Sequence, residues 1–119
     1  MSLVLDGTLG LQVPASSTGN SGLVAWAKWN GNGSISSNAS YNVASIVRNS
    51  TGNYTVTFSN ALVDALYATT TGVSYDLTTG NGDVFVKIVS QTSSAVNLLV
   101  LSTGGTAIDV QYVAIMCAR

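Results

Sequence analysis

The side chains able to do chemistry in this sequence are few, and their spacing decides how far each can be taken. Histidine is absent, which removes Ser-His-Asp and Cys-His nucleophile systems and imidazole metal sites together. Glutamate is absent too, and the acids are Asp6, Asp64, Asp76, Asp83 and Asp109. Two carboxylates could in principle work as a glycosidase pair, but no spacing here places two of them together. Aspartates beside Gly or Asn are turn residues first. Asp76 and Asp83 flank Gly80-Asn81-Gly82 and could hold calcium with Asn81. That loop lacks the alternating-acid pattern of a dedicated calcium site, so turn formation is the simpler reading. Gly31-Asn32-Gly33 is no phosphate cradle, because neither a Lys-Ser/Thr pair nor a helix follows it. The expectation is a non-enzymatic protein with no catalytic residue, cofactor or metal.

Aromatic side chains offer the other route to function. Trp26 and Trp29 lie three apart in what reads as one strand, so parity puts them on opposite faces. One belongs to the core. The other, together with Tyr41, can fill a subunit interface, pack within the chain or stack on a sugar ring. Trp26, Trp29 and Tyr41 are therefore the candidate surface and ligand contacts. Cys117 is the single cysteine, so no intrachain disulfide exists. Its neighbours Ile115 and Met116 predict a buried thiol. Asn38-Ala39-Ser40 and Asn49-Ser50-Thr51 match the glycosylation triplet, but composition alone generates such matches in a chain this rich in Asn, Ser and Thr.

The elements that must position these residues are strands. Asn53 to Phe58 alternates, with Tyr54, Val56 and Phe58 on one side and Thr55 and Thr57 on the other, the period of a strand with one dry face. Asn49-Ser50-Thr51-Gly52 is a turn, and Ala44 to Arg48 is the strand it reverses from, making a β-hairpin. Strands are also predicted over Leu23 to Trp29, Tyr67 to Tyr75, Val84 to Ser90, Ala95 to Leu101 and Ala107 to Cys117. Asn30-Gly31-Asn32-Gly33, Gly80-Asn81-Gly82, Gln91 to Ser94 and Gly104-Gly105 punctuate them. Ser34 to Asn42 reads as a loop with a short strand, and Ser59 to Leu66 as room for a single helical turn. In Ala95 to Leu101 the run Leu98-Leu99-Val100-Leu101 breaks alternation, which predicts a strand covered on both faces. The whole is an antiparallel β-sandwich of about seven to eight strands over residues 23–119.

Residues 1–22 are a separate arm or loosely attached strand pair, with Leu3, Leu5, Leu9 and Leu11 before the only proline and a run of small polar residues. The opening methionine suggests a complete small chain. At 46% hydrophobic and 8% charged, the sequence has far fewer ionic groups than the roughly 25% of ordinary soluble domains. That points to surface hidden against copies of itself, with Leu3, Leu5, Leu9, Leu11, Leu98, Leu99 and Leu101 as candidate interface residues. Lys28, Arg48, Lys87 and Arg119 are scattered singly, so the clustered cations of a nucleic-acid footprint are missing. No apolar run approaches the roughly 20 residues of a membrane span, and no charged-then-apolar export signal opens the chain.

Four short runs in order resemble a recurring domain of bacteriophage and marine-virus virion proteins of the tail-fibre-like family. They are Ala25-Trp26-Ala27-Lys28-Trp29-Asn30-Gly31, Ser40-Tyr41-Asn42-Val43-Ala44-Ser45-Ile46, Gly52 to Phe58, and Ala61-Leu62-Val63-Asp64-Ala65-Leu66-Tyr67. In the last, Val63 stands where the family has proline. The likeness covers about residues 24–68, weakens toward the C-terminus and is absent from the arm. It implies a virion surface protein without catalytic residues, assembled in the host cytoplasm as a homo-oligomer, most simply a trimer, that docks on capsid or tail proteins. Capsid decoration, a knob-like accessory and a tail-fibre piece are all consistent with it. The competing expectation is a module that recognises host surface polysaccharide.

Overall fold

A computed structural model describes residues 4–6, 10–12, 22–32, 35–74 and 83–119. Two short strands, β1 (Val4–Asp6) and β2 (Gly10–Gln12), pair antiparallel as a separate ribbon. Eight more form two four-stranded antiparallel sheets: β3 (Leu23–Asn30), β4 (Ser36–Tyr41), β5 (Val43–Ser50), β6 (Asn53–Phe58), β7 (Ala68–Val73), β8 (Val84–Gln91), β9 (Ala95–Ser102) and β10 (Tyr112–Ala118). The first sheet runs β4-β3-β10-β7 and the second β5-β6-β9-β8. The predicted β-sandwich is the observed fold.

Alternation builds the core directly. Ala25, Ala27 and Trp29 of β3 face Val113, Ile115 and Cys117 of β10 along one wall, and Tyr54, Val56, Phe58, Val96, Leu98 and Val100 supply the other. Side chains of this size each gain about 1.5–3 kcal/mol on full burial, so these two walls are the main attraction between the sheets. Trp29 meets Tyr54 edge-on across the layer at 5.7 Å, and Phe58 meets Tyr67 in the same way at 5.8 Å. Edge-to-face contact sets a positive ring edge against a negative ring face.

The chain changes sheets at one residue between β4 and β5. Asn42 carries φ 56°, the only positive φ at a non-glycine among the described residues. Asparagine tolerates this region better than most residues. Its amide donates to the carbonyls of Val24 and Asn60 at 3.1 Å each, and its Oδ1 accepts from the Asn60 N–H at 2.8 Å. One side chain thus pins the corner to β3 and to the segment that follows β6.

Three segments differ from expectation. Ser59 to Leu66 makes no helical turn; the Asp64 carboxylate accepts from the Leu66 N–H at 2.8 Å, closing a local turn in its place. The final strand begins at Tyr112 rather than Ala107, which makes one isolated bridge to Leu101. Nor does β9 hide both its faces: Val96, Leu98 and Val100 are buried, while Leu99 and Leu101 are half-buried on the outside. The loop of Asp76 and Asn81 lies outside the described residues.

Candidate functional site

The most connected polar group is Asp109, on the irregular segment before β10. Its Oδ1 accepts from the Gly52 N–H at 2.8 Å and the Tyr54 hydroxyl at 3.0 Å, and its Oδ2 takes Arg48 Nη2 at 2.7 Å. The one Tyr54 hydroxyl proton is shared between Asp109 Oδ1 and the Gly31 carbonyl, which is the nearer at 2.6 Å. Burial alone would raise the Asp109 carboxyl, but hydrogen bonds from Arg48, Gly52 and Tyr54 outweigh it and hold the group below the usual carboxylate range. The same contact raises Arg48. Burial, and then the neighbouring carboxylate, push the Tyr54 hydroxyl well above its ordinary value. The cluster ties the β5–β6 hairpin, Gly31 at the end of β3 and the segment before β10 together. It acts as a lock between these segments. Among the described residues no three of His, Cys, Asp or Glu come together.

Tyr67 and Cys117 are equally structural. The Tyr67 hydroxyl donates to the Thr92 carbonyl at 2.7 Å, and burial raises it to about 12. Burial also raises the Cys117 thiol, which sits 3.9 Å from Thr69 Oγ1. A thiol kept neutral in the core is a poor nucleophile.

The outer faces of the sheets hold what remains. On the first sheet, Trp26 pairs in register with Tyr41 on one side and Met116 on the other. Tyr41 is 56% exposed and Met116 49%. The next row carries Ala39, Lys28, Ala114 and Gly72, so its floor is low apart from the lysine. Lys28 Nζ lies 4.6 Å above the ring of Tyr112, one row further along. On the second sheet a polar ladder of Asn49, Asn53, Thr55 and Asn97 crosses β5, β6 and β9. Beside it lies an apolar stripe in which Phe85 pairs with Leu101 and Lys87 with Leu99. Phe85 is 47% exposed and Val89 52%. Between the edge strands β4 and β5 runs an open groove of about 370 Å³ lined by Ile35, Ser40, Val43, Ala44, Ser45 and Ile46. Its lining has no charged group.

The chain matches no family model, no curated protein and no solved structure.

The candidate residues therefore separate. Trp26 and Tyr41 are together on an outer face, as the parity argument allowed. Trp29 is not a surface contact, because it is wholly buried between the sheets. Leu98 is not an interface residue for the same reason: its inward position on a central strand puts it in the chain's own core. Leu99 and Leu101 do face outward. Leu5 and Leu11 are register partners in the ribbon, and Leu3 and Leu9 lie outside the described residues. Sequence reasoning gave no role to Asp109, Asn42, Lys28 or Tyr112. For Asn42 a signal existed, an asparagine between two strand patterns; the others depend on pairings far apart in the chain.

Proposed function

We propose that this protein is a non-enzymatic structural component of a virus particle's surface, acting by association with copies of itself and docking on capsid or tail proteins. The observation that carries the reading is the apolar stripe on the second sheet: Phe85 and Val89 stand half-exposed beside Leu99 and Leu101. Exposed apolar side chains gathered on one face of a small domain, here on either side of Lys87, mark contact with a partner. The polar ladder beside it supplies hydroxyl and amide groups that keep the rest of that face wetted. The ordered resemblance of residues 24–68 to virion domains supports the same reading from the sequence side. A homotrimer is the assembly that the resemblance implies. Sedimentation equilibrium on the whole chain tests this. The expected mass is three times 12.2 kDa, and a monomer at micromolar concentration overturns the reading.

A further inference from the structure

We infer that the outer face of the first sheet binds a polysaccharide carrying carboxylate groups, across a trough bounded by Trp26 and Tyr41 at one end and by Lys28 and Tyr112 at the other. The argument begins with shape. Along β10, Ala114 lies between Met116 and Tyr112, and four residues of strand span about 13 Å, room for two linked sugar rings. The row between carries Ala39, Lys28, Ala114 and Gly72 and is low apart from the lysine, so a flat ligand can descend beside Lys28 onto Ala114 and Gly72.

Chemistry narrows the occupant. A pyranose ring presents a face of C–H bonds and a rim of hydroxyls. Trp26 and Tyr41, cross-strand neighbours pointing the same way, offer the aromatic surface that a C–H face stacks against, with the phenol group at the margin to meet hydroxyls. Lys28 brings the charge. Among the described residues both ion pairs involve arginine, Arg48 with Asp109 and Arg119 with Asp64, and the Lys28 ammonium rests on the Tyr112 ring. An ammonium held over an aromatic face keeps donors directed outward, and a carboxylate is the anion a sugar most simply supplies. One cation on the face is too few for a nucleic-acid backbone, which displaces counterions through many. An apolar protein partner would find a floor of small residues giving little to bury.

This inference concerns the sheet face opposite the apolar stripe, and it does not depend on the assembly reading. The test titrates the whole chain with oligogalacturonate, oligoalginate and hyaluronan oligosaccharides, and with maltohexaose and cellohexaose as neutral counterparts, by calorimetry and tryptophan fluorescence. Trp29 is buried, so emission changes report Trp26. Binding to at least one carboxylated series is expected, with W26A and Y41A each lowering affinity about tenfold, roughly 1.4 kcal/mol. K28Q is expected to remove the preference for carboxylated over neutral ligands while leaving the melting temperature unchanged. Absence of binding to every oligosaccharide overturns the inference, as does binding that W26A and Y41A leave intact. Equal binding of neutral and carboxylated series, indifferent to K28Q, overturns the acidic class. If W26A changes the sedimenting mass and no sugar binds, the face is a subunit contact and the inference falls, whereas a monomer that binds sugar defeats only the assembly reading.

Discussion

At the scale of single residues, the Asp109 lock is the most exposed to test. Its carboxyl is depressed in the folded chain by Arg48, Gly52 and Tyr54. An unfolded aspartate titrates near 4. Between the two values the unfolded chain binds more protons, so stability rises with pH there. The contribution is complete above about pH 4 and lost as pH falls through the lower folded value. Asp109→Asn, which removes the charge facing Arg48, is expected to cost about 1–3 kcal/mol at neutral pH and to flatten the acid limb of urea-unfolding stability below about pH 4. Gly52→Ala should be as damaging for a different reason. Gly52 has φ 70°, which costs an alanine about 1–2 kcal/mol. The added Cβ would also meet the carbonyls of Val100 and Ile108 at 2.7 and 2.8 Å. A loss above about 2 kcal/mol in chemical denaturation is expected; a neutral result would mean the turn can shift without disturbing the lock.

At the scale of strands, alternation carried most of what could be read. Tyr54, Val56 and Phe58 declare an inward face with no help from the rest of the chain, and they are buried. Parity separated Trp26 from Trp29 but could not say which faced in; that depends on β3 pairing with β10, more than eighty positions later. Leu98-Leu99-Val100-Leu101 misled for a related reason. Hydrophobicity on both sides of a strand predicts cover on both sides, but it does not say whether the chain itself provides it. Asp109 was invisible because its partners lie 55 to 61 positions away. The apolar stripe makes its own prediction. Phe85→Lys adds a charge on an outer face, so it should leave thermal unfolding of the isolated domain within about 0.5 kcal/mol of the parent, as surface changes do. In the assembled protein it should lower the sedimenting mass. An unchanged mass would move the subunit contact to some other surface.

At the scale of the whole molecule, the two sheets are assembled in different ways. The second is two hairpins, β5–β6 and β8–β9, joined side by side through β6 and β9. Its contacts are largely local, and local contacts form early. The first sheet collects strands from across the chain, with β10 lying between β3 and β7. Pulsed hydrogen exchange during refolding is expected to protect the amides of β6 and β9 before those of β3 and β10; simultaneous protection would refute a stepwise order.

The placement of β10 also bears on biosynthesis. Until residue 118 has cleared the ribosome, β3 and β7 have no strand between them, and each presents a row of unsatisfied backbone amides and carbonyls to solvent. Nascent chains crowded on one message would then find in each other the missing strand that their own translation has yet to deliver. Slowing translation ahead of codon 112 should therefore raise the fraction recovered as entangled aggregate.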